Sequence, residues 1–144
     1  MAEDVTKQEI LAANERFYRA LAEADLTAMS DVWHHSAITE CIHPGWDRLR
    51  GWPAIRDSWA VIFANQGSVQ VRAGDVLVRR RGDVAWVTCY ENLAVRDQGT
   101  VQMSQMLAIN IFERIDDRWR MVIHHAAPAP PGMIRPRSWR TSLN

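Results

Sequence analysis

His43-Pro44-Gly45-Trp46, followed by Gly51, Ile55, Ser58-Trp59 and Phe63, is the stretch on which the reading of this chain turns. A strand end runs into a tight turn, and a helix starts after Gly51. Pro53 falls near the first turn of that helix, where its missing N–H costs nothing. Two tryptophans and one titratable ring are drawn together, as at the rim of a pocket. Before this stretch the apolar residues recur with a helical period. Beyond the helix that follows it the period becomes two.

Working outward, residues 4 to 24 predict an amphipathic helix, with Ile10, Ala13, Phe17, Leu21 and Ala24 on one side. Asp4 or Thr6 is expected to cap its start. Asp25 opens a short second helix from Leu26 to Trp33, and Ala37 to His43 alternates as a first strand. The third helix runs to about Ala64, and Asn65-Gln66-Gly67 stops it. Val69 to Arg79, Val84 to Val95, Met103 to Arg114 and Arg118 to Ala126 then predict four strands. Their turns fall at Arg81-Gly82-Asp83, Asp97-Gln98-Gly99 and Asp116-Asp117. Helices first and a strand meander afterwards is the α+β pattern. Pro128 to Pro136 cannot continue a sheet and predicts an extended tail.

The 144 residues suffice for one domain with one core, and 47% are hydrophobic. Lys+Arg and Asp+Glu both number 17, so the basic excess that nucleic-acid binding needs is absent. Arg79-Arg80-Arg81 ahead of Gly82-Asp83 is expected to be a solvated hairpin end. Met1-Ala2-Glu3-Asp4 is acidic and leads into no apolar run, and no stretch approaches a membrane span. With two cysteines, Cys41 and Cys89, the expected setting is cytoplasmic, with free thiols. Seven tryptophans are many for this length, and buried indoles need partners for their N–H groups, which suggests a cavity or an interface to line.

If Asp116-Asp117 is a two-residue turn, Ile115 pairs with Arg118, Glu113 with Arg120, Ile111 with Val122, Ile109 with His124 and Asn110 with Ile123. One sheet face then carries Trp86, Thr88, Tyr90, Asn92, Asn110, Phe112, Met121 and His125. The other carries Val87, Cys89, Glu91, Ile109, Ile111, Val122 and His124. Both are substantially apolar, so one is expected to meet the helices and the other a second copy of the chain. The first, aromatic and dotted with amides, suits a pocket wall. The second, flatter and β-branched, suits a homodimer contact through the sheet.

Three helices, the His43-Pro44-Gly45-Trp46 turn and a meander ending in Trp119 and His124-His125 resemble the nuclear transport factor 2-like superfamily. Within it the chain is similar to SnoaL-like small proteins and to the association domain of calcium/calmodulin-dependent protein kinase II. Lys7-Gln8-Glu9-Ile10 and Ala24-Asp25-Leu26 match that domain's pattern at one end. Tyr90, Asp117-Arg118-Trp119 and His125 match it at the other. The resemblance implies a cystatin-like α+β roll over residues 1–128: a cone-like curved antiparallel sheet against three N-terminal helices, with an open mouth and dimers through the sheet. Residues 129–144 would be the proline-containing tail. The fold hosts isomerases, dehydratases, cyclases, transport adaptors and oligomerisation hubs. Ketosteroid-isomerase relatives use a tyrosine on the first helix and two acids. Those places here hold Phe17, Cys41 or His43, and Ala108 or Ile109, which speaks against steroid isomerisation.

The expected site is therefore a small-molecule pocket lined by Trp33, His43, Trp46, Trp59, Tyr90, Asn92, Asn110, Phe112 and His125. Its guest would be a small apolar or aromatic molecule, with no cofactor and no metal. His43 is the candidate for isomerase- or dehydratase-like proton transfer, because an unperturbed imidazole titrates near neutrality. The plainer alternative is a histidine that caps the turn before Trp46. His124 and His125 alternate along a strand, so at most one faces the pocket. Cys41 has no base placed beside it by spacing, and Cys89 reads as a core thiol. The competing function is a non-catalytic association module.

Overall fold

The computed structural model describes residues 2–130. Most of the tail expected from residue 129 lies outside them. Three helices come first: α1 (Ala2–Glu23), α2 (Leu26–Val32) and α3 (Trp52–Asn65). Between α2 and α3 lie two short strands, β1 (Glu40–Ile42) and β2 (Leu49–Arg50). Then follow β3 (Val69–Arg81), β4 (Val84–Asp97), β5 (Thr100–Ile115) and β6 (Arg118–Pro128).

The six strands form one curved sheet in the order β2-β1-β6-β5-β4-β3. The meander β3 to β6 is antiparallel, whereas β1 lies parallel to β6, with Cys41 beside His124. The sheet is thus mixed, and the wholly antiparallel expectation is corrected at that one pair. β2, a two-residue strand on the edge, carries too short a pattern to read from sequence.

α1 begins at Ala2, so Asp4 and Thr6 lie inside it, and the Thr6 hydroxyl donates back to the Ala2 carbonyl at 3.0 Å. Ile10, Ala13, Asn14, Phe17, Tyr18 and Ala20 form its buried stripe. The helix ends where Ala24 turns left-handed (φ 51°) and the Asp25 N–H reaches the Ala20 carbonyl at 3.0 Å. Asp25 then caps α2, accepting from the Ala28 N–H at 2.9 Å. Gly51 opens α3 at φ 85°, a left-handed conformation that favours glycine.

Two turn details set the sheet faces. The β4–β5 turn has two residues, Gln98 and Gly99, both at positive φ, with Asp97 opposite Thr100. One residue fewer than expected exchanges the partners along the hairpin. Val87 therefore pairs with Asn110, Cys89 with Ala108 and Glu91 with Met106. The β5–β6 turn is Asp116-Asp117 as expected, and Glu113 sits opposite Arg120. A bulge between Ile111 and Phe112 then leaves Val122 without a partner, so Asn110 meets His124 and Ile109 meets His125.

The predicted faces are corrected accordingly. Val87, Cys89, Glu91 and His124, expected at a dimer contact, point inward with Asn110 and Phe112 beneath α1. Trp86, Thr88, Tyr90 and His125 share the outer face with Ile109 and Ile111. Val122, the bulge residue, is buried.

Candidate functional site

A cavity of about 430 Å³ opens between the sheet's inner face, the end of α1 and α3. Leu21, Trp59, Ile62, Val69, Val71, Leu93, Val95 and Met106 supply apolar wall, and His43, Glu91 and His124 supply the titratable groups. Trp46 and Pro44 form the rim, and Trp46 is 43% exposed. The His43-Pro44-Gly45-Trp46 segment is a turn with the Trp46 N–H bonded to the His43 carbonyl at 2.9 Å and Gly45 at φ 82°. Proline then glycine in the two central places is the type II pattern.

His43, at the end of β1, is held from three sides. Its ring meets Trp59 edge-on at 4.6 Å and Trp46 at 4.8 Å. Its Nε2 lies 2.9 Å from Ser58 Oγ. The Ser58 hydroxyl donates to the Ile55 carbonyl at 2.6 Å, so its oxygen must accept from His43. A neutral His43 thus carries its proton on Nε2 and its lone pair on Nδ1. Burial pushes the ring down to about 4, so it is neutral at pH 7. The neighbouring Cys41 thiol is pushed far up by burial and by the Glu91 charge, so it stays protonated and is no nucleophile.

Behind the cavity runs a polar chain that crosses from α1 to the sheet. Asn110 Nδ2 donates to Asn14 Oδ1 at 2.9 Å and to Tyr18 at 3.0 Å. The Tyr18 hydroxyl donates to Glu91 Oε2 at 2.8 Å and touches Cys89 Sγ at 3.2 Å. With its amide N–H groups used, Asn110 offers Oδ1 to His124 Nδ1 at 2.6 Å. His124 Nε2 stands 3.9 Å from Glu91 Oε2. Burial pushes His124 down to about 3, aided by the charges of His43 and His125. Burial pushes Glu91 up to about 7 against the opposing pull of the Tyr18 hydrogen bond. Burial also raises the Tyr18 hydroxyl well above its ordinary range, with Glu91 contributing.

Of the predicted lining, the fold brings His43, Trp46 and Trp59 to the cavity. Trp33 is fully buried, packing on Trp52 at 6.1 Å under the α2 end instead. Asn110 and Phe112 face inward but lie behind the wall. Tyr90 and His125 point away from it. Asn92 pairs across the hairpin with Gln105, whose Nε2 donates to it at 2.8 Å. Trp33, Trp59 and Trp119 keep buried indole N–H groups without a hydrogen-bond partner among the described residues.

Asn14 and Tyr18 were missed, and Glu91 and His124 were expected together on the dimer face and not on the cavity wall. The first two had a signal, since Ile10, Asn14 and Tyr18 recur every four residues down the inner stripe of α1. Tyr18, one place beyond Phe17, sets a phenolic hydroxyl on the buried stripe of α1. Among the described residues no group of three or more His, Cys, Asp or Glu side chains is arranged to hold a metal. No helix among them is long and apolar enough to cross a membrane.

Residues 10–131 match the SnoaL-like domain family, and the chain belongs to that family. It is 34% identical to a candidate calcium/calmodulin-dependent protein kinase type II association domain from Thiobacillus denitrificans (TM-score 0.73, covering 83% of this chain and 94% of the other). A candidate dehydratase of the NTF2-like family from Streptomyces avermitilis is 30% identical (TM-score 0.81, 88% and 97%). The F-box protein SKIP8 of Arabidopsis thaliana is 30% identical over 122 residues, which are 85% of this chain and 50% of that protein. The chain therefore spans about half the length of this curated relative. The expected superfamily and the α+β cystatin-like fold both hold.

Proposed function

We propose that this protein binds a small, uncharged, largely apolar molecule in the cone and carries out isomerase- or dehydratase-type proton transfer on it. One observation carries the reading. Three buried titratable side chains, His43, Glu91 and His124, stand on the wall of a single apolar cavity of about 430 Å³. Cavities of that size suit metabolite-sized guests. Among the described residues no lysine or arginine lines it, so an anionic guest would lack charge compensation from them. The likeness to a candidate dehydratase agrees with this chemistry.

The test is binding of an aromatic ketone, 4-phenylbutan-2-one, followed by fluorescence of Trp46 and Trp59. Saturable quenching is expected in the parent. Val71→Trp, which fills the cavity, is expected to abolish it. Quenching that survives the filling would place the guest elsewhere and remove the reading.

A second reading, a homodimeric association module, is supported by the outer sheet face. Trp86, Leu107, Ile109, Ile111 and Ile123 lie on it, and Leu107 is 43% exposed. The likeness to an association domain agrees with it. Both readings fit one chain, since the cavity and the outer face are opposite sides of the same strands.

A further inference from the structure

The pocket's acid–base pair follows from the hydrogen-bond directions. We propose that His124 and Glu91, side by side on the cavity wall, dehydrate an uncharged β-hydroxy carbonyl compound, with His124 Nε2 as the base and the Glu91 carboxyl as the acid. This assignment rests on the proposed pocket function and names its substrate class.

The protons in the chain can be followed one by one. Asn110 spends its amide N–H groups on Asn14 and Tyr18, so its carbonyl oxygen takes the Nδ1 proton of His124. The lone pair of a neutral His124 is therefore on Nε2, the nitrogen on the Glu91 side. Phe17 packs against the ring at 4.7 Å and holds its plane. Tyr18 fills one oxygen of Glu91 from behind, so the carboxyl is anchored at the same depth. His43 is less suited to be the base, because its Nε2 proton is committed to Ser58 and the Cys41 thiol packs against both ring nitrogens, 3.7 Å from Nε2 and 3.9 Å from Nδ1.

A base lone pair and an acid proton on one wall address the same face of a bound molecule, the arrangement needed for syn elimination of water. His124 Nε2 takes the proton from the carbon next to the carbonyl, and the C–H electron pair becomes the new C=C bond. The C–O bond to the β-hydroxyl breaks, and the hydroxyl leaves as water with the Glu91 proton. The imidazolium then returns its Nε2 proton to the Glu91 carboxylate, 3.9 Å away, and both groups are again neutral. No other reactant is required. Burial keeps His124 neutral and raises Glu91 to about 7, so that part of the protein carries the Glu91 proton at neutral pH and a larger part does so below it.

The test substrate is 4-hydroxy-4-phenylbutan-2-one, whose dehydration yields the conjugated 4-phenylbut-3-en-2-one. Turnover is read from the enone absorbance and enone binding from tryptophan fluorescence. Glu91→Gln and His124→Gln are each expected to slow dehydration by about 10²–10⁴-fold, the usual contribution of a positioned acid or base. Enone affinity should stay close to that of the parent. Parental turnover in either variant overturns the assignment and leaves the pocket function standing. So does a parent that binds the enone but leaves the hydroxyketone intact. A parent that binds neither compound overturns both. The ¹⁵N shifts of His124 in the unsubstituted protein give a readout independent of variant folding. An Nδ1–H tautomer supports the base role, and a dominant Nε2–H tautomer overturns it.

Discussion

Tyr18 on the first helix donates its phenolic proton to Glu91 at 2.8 Å, a bond between residues 73 positions apart. It joins α1 to β4 inside the core, and through Asn110 to β5 as well. Buried polar groups are costly when they lose a partner.

Tyr18→Phe keeps the ring and removes that oxygen, leaving Glu91 and one Asn110 N–H without it. The expected loss is about 1–3 kcal/mol, measured by chemical denaturation. The carboxyl should also titrate higher than in the parent, because the hydrogen bond that opposes its burial is gone. An infrared titration of the Glu91 carboxyl checks this.

Stability should depend on pH through three buried groups. His43 and His124 fall from 6.5 unfolded to about 4 and about 3 folded. The unfolded chain therefore binds more protons below pH 6.5, and stability drops as pH falls toward the folded values. Glu91 rises from 4.5 unfolded to about 7 folded and acts in the opposite sense, losing stability as pH climbs between them. Where the windows overlap, two protons oppose one. Glu91→Gln removes the opposing proton, so the fall in stability on acidification should steepen toward two protons, each worth about 1.4 kcal/mol per pH unit. Urea denaturation at a series of pH values gives both slopes.

Ser58→Ala removes the acceptor that holds the His43 proton on Nε2. A mixture of tautomers is expected in the ¹⁵N spectrum of His43, with a stability loss of about 1 kcal/mol.

Gly51→Ala tests the start of α3. A methyl group there would meet nothing within 4 Å, so the cost comes from the backbone at φ 85° alone. About 1–3 kcal/mol is expected from thermal unfolding, with the cavity's ligand affinity unchanged.

On the association reading the parent should sediment as a dimer and Ile109→Asp, on the outer sheet face, as a monomer, while 4-phenylbutan-2-one binding persists. Binding lost together with the dimer would show that the cavity needs the second copy.

The order of elements was legible because each rests on a period or a breaker. α1 shows in Ile10, Ala13 and Phe17, α3 in Gly51 and Pro53, and the meander in its turn residues. His43, Trp46 and Trp59 were legible as cavity residues because they crowd one short stretch. Glu91 and His124 were not, because a strand's facing depends on counts of single residues. The β4–β5 turn has two residues where three were read, and Val122 adds one unpaired residue to β6. Asn14 and Tyr18 escaped because a polar side chain on a helix reads as solvent-facing until a partner across the core accounts for it.

The bulge at Val122 has a consequence for how such pockets diversify. It alone determines which of two adjacent imidazoles looks into the cone, while the strand around it keeps its bonds. Losing that one residue would rotate His124 out, so a slip in spacing would exchange the cone's inner chemistry while every other side chain is retained.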